Sequence, residues 1–361
     1  ERARLARALR ESGYYREALR GQVDLYRCFV ERSLALLRPG GALSLVVPLS
    51  LARSAAALPL RRRLLEEEAA GDWLVFGEGD RAFPGVTQSV CIFRAWRGGG
   101  PARKVRVGYG GGSGEWDLAE AEDWGGGELI LPAPGDRDRE LSDWFRHNRH
   151  VTLGEAVDMR VGEVDQTIYR DCMLDQAGDC LLARGEHLSP FRLDVDPIPG
   201  RARFLDRERF LARKGRAAAA CAQRAARARV AQLGIRNMRS RPRLVAALAP
   251  PGVYLGNSLN ACLPKAGLPL ECLAGLLNSR LLDWLFRRIS GNNNINLHEM
   301  RRLPFPVDPD PEASRAVADA YRECADADSG ALPAARGELD RAVEDFYRLP
   351  PAPREALDAG A

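Results

Sequence analysis

The first part of the chain alternates between two hydrophobic periods. Residues 20–38, RGQVDLYRCFVERSLALLR, place Val23, Leu25, Tyr26, Phe29, Val30, Leu34 and Leu37 at helical spacing, and Pro39-Gly40-Gly41 stops that helix. The next run, ALSLVVP (42–48), is continuously apolar, as expected of a strand buried on both faces. Leu60–Glu68 predicts a second helix, beginning as early as Ser50. DWLVF (72–76), QSVCIFR (88–94) and KVRVGY (104–109) predict further strands, the last at a sheet edge. Helix, glycine turn, buried strand, helix and strand predict an α/β architecture, the second half of a doubly wound, Rossmann-like sheet.

A glycine-rich break, GYGGGSG (108–114), and an acidic stretch from Glu115 to Asp143 come next. EWDLAEAEDW repels anions, so the break reads as a linker rather than a phosphate loop. A boundary is expected at 113/114, with 114–145 as an acidic linker. From 146 short mixed segments dominate, then a strand-like RLVAAL (243–248) and a core helix over 269–289, PLECLAGLLNSRLLDWLFRRI. Two polar amphipathic helices are predicted over 311–347, and the last residues, PPAPREALDAGA, are expected to be loose. The second domain is thus expected to span 146–308, with a helical tail over 309–361.

Of the 361 residues, 45% are hydrophobic and 28% charged, a globular composition with length for two or three domains. No run approaches the ~18 apolar residues of a membrane span. ERARLARALRESGYY lacks the apolar centre of a signal peptide, and the missing initiator Met suggests a start inside a longer protein. The eight cysteines form no C-x-x-C pair and the four histidines no zinc spacing, so no metal is expected; scattered thiols fit a cytoplasmic protein. The net charge is only +4, yet residues 201–243 hold fourteen Arg and Lys against Asp206 and Glu208. Such a block is the footprint of a polyanion-binding face, the alternative being a solvated helix face with an arginine-rich coding bias.

Several phrases resemble a known family. DLYRCFVERSLALLRPGGALSLVVP (24–48), LRRRLLEE (60–67) and AFPGVTQSVCIF (82–93) resemble the later part of an adenine-specific DNA methyltransferase domain. GEVDQTIYR (162–170), LLARGEHLSPFRL (181–193), RPRLVAAL (241–248), YLGNSLN (254–260) and LLNSRLLDWLFRRISGNNNINLHEMRRLPFP (276–306) resemble the TaqI-like specificity domain of type IIG restriction–modification methylases. The resemblance runs in order from about residue 20 to 306 and implies the C-terminal half of a methyltransferase sheet over 1–113, then an α+β target-recognition domain. It implies double-stranded DNA as partner, a nuclease domain or subunit alongside, and methyl transfer from S-adenosylmethionine to N6 of a flipped adenine. It also implies that Phe83, in AFPGV, stacks on the flipped base.

The chain departs from that family where the chemistry is done. No Asn/Asp-Pro-Pro-Tyr/Phe is present, and no Gly-rich cofactor loop. In the family both precede the DLY segment. The expectation is therefore an N-terminally truncated or split methyltransferase that does not methylate by itself, its cofactor held by the missing half. The alternatives are a non-catalytic specificity module serving a separate methyltransferase subunit, and a methylase of RNA or protein built from related parts.

The expected DNA contacts follow from residue chemistry and the resemblance. Asn and Gln match adenine's paired donor and acceptor, and Arg matches guanine. Gly162, Glu163, Gln166, Thr167, Arg184 and Gly185 belong to the recognition module by resemblance, with Asn257, Ser258 and Asn260 after a strand. Asn292, Asn293, Asn294 and Asn296 fit either a turn bonded to its own backbone or a contact to the DNA backbone or between domains. Arg201, Arg203, Arg213, Arg216 and Arg236 are the phosphate candidates of the basic block.

Overall fold

The computed structural model describes residues 2–21, 23–76, 83, 88–109, 112–118, 131, 141, 143–145, 147–175, 180–194, 203–238, 240–265, 267–290 and 293–359. The chain forms two compact units. Unit 1 comprises Glu1–His147 with Arg288–Asn292, and unit 2 comprises Asn148–Arg287 with Asn293–Ala361.

Unit 1 is α/β. Helices α1 (Arg2–Glu11) and α2 (Leu25–Leu36) precede β1 (Ala42–Pro48). A short helix α3 (Ser50–Arg53), a 3-10 turn (Ala55–Ala57) and α4 (Leu58–Glu66) follow, so the helix expected from Ser50 is interrupted. Then come β2 (Asp72–Phe76), β3 (Val90–Trp96), β4 (Lys104–Tyr109) and β5 (Gly112–Asp117), in the sheet order β1-β3-β2-β4-β5. β3 runs antiparallel to both β1 and β2, so these two share a direction with β3 between them. β2 and β4 are parallel.

Three expectations are corrected here. β1 is an edge strand among the described residues, with Ala42, Ser44 and Val46 exposed, because β3, the last of the trio in sequence, takes its inner side. β4 is internal, because β5 pairs along it. The glycine-rich break is accordingly a hairpin rather than a linker. Tyr109 lies opposite Gly112, and Glu115 of β5 pairs across to Lys104 at 2.6 Å and Arg106 at 3.0 Å. The sheet thus crosses the boundary expected at 113/114.

One sheet face packs on α2, α3 and α4 through Val30, Leu34, Leu51, Leu60, Leu64, Trp73, Val75, Phe93 and Val107. The Trp73 and Phe93 rings lie 5.2 Å apart, and the Trp73 indole N–H donates to the Ala70 carbonyl at 2.7 Å. The α2 periodicity places Val30 and Leu34 inside correctly but misassigns part of the face. Leu25 and Phe29 are exposed, while Arg27 and Glu31 are buried. Those two charges tie down neighbouring loops. Glu31 accepts from the backbone N–H of Arg16 (2.7 Å) and Ala18 (2.9 Å), and Arg27 donates to the carbonyls of Arg20 (2.9 Å) and Ala56 (2.6 Å). Buried charge is tolerable when it is bonded in this way.

Unit 2 is built on a four-stranded antiparallel sheet. Its strands are β6 (Val157–Val161), β7 (Arg229–Leu233), β8 (Ala246–Ala249) and β9 (Leu259–Pro264), in the order β8-β7-β9-β6. Helix α5 (Leu270–Asn278) lies buried against it. Asn278 fastens the helix to β8, donating to the Ala246 carbonyl at 2.8 Å and accepting from the Ala246 N–H at 3.2 Å. The single helix expected over 269–289 is two, because Ser279 breaks it. Its hydroxyl donates back to the Leu276 carbonyl at 2.7 Å and accepts from the Leu282 N–H at 3.3 Å, capping the next helix, Arg280–Ile289.

A smaller sheet joins Tyr254–Leu255, Cys180–Ala183, Phe204–Leu205 and Met173–Leu174 in that order. It packs on the helices Arg207–Lys214 and Ala218–Ala225 through Tyr254, Phe210 and Tyr169. The predicted tail helices are α6 (Pro311–Asp326) and α7 (Leu332–Phe346), and they belong to unit 2. A Cβ on Gly275 of α5 would stand 2.9 Å from Val317, so glycine permits the close approach of α6. Tyr321 of α6 donates to the Phe191 carbonyl and accepts from the Leu248 N–H. The terminal residues form a further helix, Pro351–Ala359, where looseness was expected. Arg354 there reaches Asp345 at 2.6 Å.

Candidate nucleic-acid interface

Three sequence-distant segments converge at one place in unit 2. Val164 donates its N–H to the Leu255 carbonyl (3.0 Å), Asn257 to Val164 (2.8 Å) and Gly256 to Ala183 (2.8 Å). A Cβ on Gly162 would collide with the Gly256 carbonyl, so only glycine allows these backbones to meet. The segments are 162–166, 183–185 and 255–258, parts of three phrases that carry the resemblance.

Their side chains form a polar cluster. Gln166 Nε2 donates to Asn257 Oδ1 (3.1 Å) and Ser258 Oγ (3.2 Å). Ser258 Oγ also accepts from the Gly185 N–H (2.9 Å). Gln166, Asn257 and Ser258 are therefore brought together, with Asn257 exposed and the other two half-buried. Thr167 is exposed beside them, its N–H donating to Asp165 Oδ1 at 2.9 Å.

Arg184 lies beneath rather than on the cluster. It is 7% exposed, and its Nε stands 3.4 Å from Glu186 Oε1. Glu163 is buried against Arg229, and Asn260 donates within β9's interior to Gln232 Oε1 at 2.8 Å. These two are framework residues.

A second loop borders the cluster. Gly234 donates its N–H to the Ser258 carbonyl at 2.8 Å, and the chain then runs through IRNMRSRPR before β8. Asp283 holds the far end of this loop, accepting from the N–H groups of Arg243 and Leu244. Arg287 bonds Asp283 (2.7 Å) and the Met238 carbonyl (2.9 Å). The Asn-rich segment lies alongside. Asn293 accepts from the Arg236 N–H on its carbonyl (2.9 Å) and from the Met238 N–H on its side chain (3.0 Å), and Asn294 bridges Ile235. The turn bonded to its own backbone is thus replaced, at Asn293, by a clamp on the basic loop. Asn293 and Asn294 are exposed.

Among the described residues, the arginines of the basic block do not form one face. Arg229 and Arg243 are buried. Arg236 is half-buried, and burial, opposed by Asp283, pulls its pKa below the ordinary value. Arg213 pairs with Asp171 and lies over the Tyr169 ring. Arg203 lies over Phe204, and Arg216 is exposed in the turn Gly215–Ala217. Arg201 and Asn292 fall outside the described residues. In unit 1, Phe83 is 38% exposed, while Pro84 and Gly85 lie outside the described residues. Sequence reasoning missed Ile168 and Ile235, both exposed beside the cluster. Their one signal is an isolated β-branched apolar residue inside a polar stretch.

Neither a family model nor a curated protein matches the sequence. A solved structure of the type IIL restriction–modification enzyme MmeI in complex with DNA superposes on 93% of this chain, with a TM-score of 0.56 and 12% identity. The chain shares that enzyme's fold. It spans 51% of MmeI's length. The type IIG restriction endonuclease BpuSI (TM-score 0.34, 13% identity, 96% of this chain and 52% of its own) aligns more weakly than MmeI does. So does the HsdS subunit from Thermoanaerobacter tengcongensis (0.29, 15%, 60% and 61%). Among the described residues no helix is long and apolar enough to cross a membrane, and no cluster of His, Cys, Asp and Glu suits a metal.

Proposed function

We propose that this chain is the DNA-reading portion of a restriction–modification enzyme, unit 2 acting as its target-recognition domain. The observation that carries this is the convergence of Gln166, Asn257 and Ser258 beside the basic loop 235–243. In this reading the amides pair adenine's N6 and N7, and the half-buried Arg236 and exposed Arg241 of the neighbouring loop serve phosphate, the division of labour expected of a sequence reader. The fold shared with MmeI, described with its DNA, supports the reading.

Within it, unit 1 is the later part of an adenine-N6 methyltransferase domain, with Phe83 stacking on the flipped base. One hollow of unit 1, of about 320 Å³ and lined by Ser44, Leu74, Ile92 and Arg94, does not suit S-adenosylmethionine, because its carboxylate, Asp72, is 3.3 Å from Arg106. The cofactor's ribose and ammonium call for free acceptors at strand ends. In this reading the cofactor and the Asn-Pro-Pro-aromatic chemistry belong to residues outside these 361, and a nuclease domain or subunit completes the system. A specificity module serving a separate methyltransferase is the second reading, because the Gln166, Asn257 and Ser258 cluster lies wholly within unit 2.

The test is fluorescence anisotropy of the full chain on duplexes of randomised sequence, followed by sequencing of the bound fraction. Enrichment of a defined sequence, lost in Gln166→Ala with Asn257→Ala, is the expected result. Binding without enrichment, or no binding, overturns the reading. Adding a methylase half and measuring methyl incorporation into adenine separates the two readings.

A further inference from the structure

Ile235 is 56% exposed and Ile168 59%. A lone exposed isoleucine needs no explanation. These two differ because both border the amide cluster and both stand on fixed backbone. Ile235 follows Gly234, which is bonded to Ser258, and it bridges Asn294. On either side, Ile295 donates its N–H to the Gly234 carbonyl and Arg236 donates its N–H to the Asn293 carbonyl, each at 2.9 Å. Ile168 lies in an Asx turn, where Asp165 Oδ1 accepts from the N–H groups of Thr167 (2.9 Å) and Ile168 (3.0 Å). Its carbonyl accepts from Arg213 Nη2 at 3.0 Å. Two stiff, β-branched apolar groups are thus exposed on fixed backbone, Ile168 two residues from Gln166 and Ile235 next to the Gly234 that bonds Ser258, at little further entropy cost on binding.

The base edges of the major groove offer one apolar group, the C5 methyl of thymine. Adenine, which the amides match, is paired with thymine. We propose that Ile168 and Ile235 are the apolar half of the readout and take up thymine methyls in the major groove. The site then reads A·T pairs by methyl as well as by amide contact. This rests on the DNA-reading function above and adds to it a base identity and the residues that detect it.

The test removes the methyl and nothing else. A duplex enriched by the full chain is resynthesised with dU in place of dT, one position at a time. A buried methyl contact is worth about three- to fivefold in affinity. That loss is expected at one or two positions in the unaltered chain, and it is abolished at the matching position in Ile235→Ala or Ile168→Ala. Both variants remove an exposed group, and their unfolding temperatures serve as the folding control. Retained affinity at every dU position overturns the proposal while leaving DNA reading intact. So does an Ile235-dependent rise in 2-aminopurine fluorescence without any dU effect, which would mark a wedge between bases. Failure to bind or enrich any duplex overturns the underlying function instead.

Discussion

Arg229 and Arg216 lie in one basic run, yet their surroundings give them opposite work. Arg229 is fully buried, bonded to both oxygens of Glu163 (3.1 and 3.2 Å) and to the Val253 carbonyl (2.9 Å). Arg229→Ala leaves Glu163 buried and unpaired. It should cost about 3–5 kcal/mol in chemical denaturation and leave the salt dependence of DNA binding in the folded fraction unchanged. Arg216→Ala should do the reverse, sparing stability and lowering the salt slope by about one. Sequence shows the charges but not this division, because Arg229's partner lies 66 residues away. Glu299 is a further case. It is 4% exposed with an unbonded Oε2, and burial pushes its pKa to about 7 against Asn296, Arg243 and Arg302. Unfolded, the group titrates near its ordinary 4.5. Between these values the folded chain holds the extra proton, so stability falls as pH rises from about 4.5 through 7. Glu299→Gln should flatten that fall and raise the free energy of unfolding at pH 8, measured by urea denaturation, by an amount on the order of 3 kcal/mol.

At the scale of elements, sequence periodicity located the strands well and their neighbours poorly. DWLVF matches β2, and KVRVGY matches β4, to the residue. What failed was position within the sheet. An apolar run such as ALSLVVP shows that a strand exists, whereas its rank depends on β3 pairing back from more than forty residues downstream. The helix break at Ser279 was missed for a local reason. Leucines continue at helical spacing on both sides, and one serine hydroxyl bonding the backbone redirects the chain. Ser279→Ala should therefore cost about 1 kcal/mol, as loss of a cap does, measured by urea unfolding. Effects on DNA binding should be secondary.

For the whole molecule, the order of the resembling phrases was legible, but their meeting was not. GEVDQ, LLARGE and YLGNS are far apart in sequence, and the glycines that let them touch, Gly162 and Gly256, look like ordinary turn residues. The fold class stands as α/β followed by mixed α+β, while the terminal helices belong to unit 2 rather than forming a separate tail. Of the five phosphate candidates Arg201, Arg203, Arg213, Arg216 and Arg236, Arg213 is paired with Asp171 and Arg236 is half-buried. With the three or four that remain, affinity for DNA should fall roughly 40- to 150-fold between 50 and 200 mM salt. The full block of six or more would give about 1,000-fold or greater. A titration of binding against salt concentration reads this number directly.

The open side of β1 bears on how the chain behaves at high concentration. The strand carries no charged residue, and among the described residues nothing pairs with its outer edge. α2 adds the outward Leu25, Phe29 and Leu36. An uncharged edge of this kind invites other strands, so stored samples should form oligomers through it. A lysine at the exposed Val46 is the natural remedy. Val46→Lys should raise the concentration at which light scattering still reports a single species, with circular dichroism unchanged.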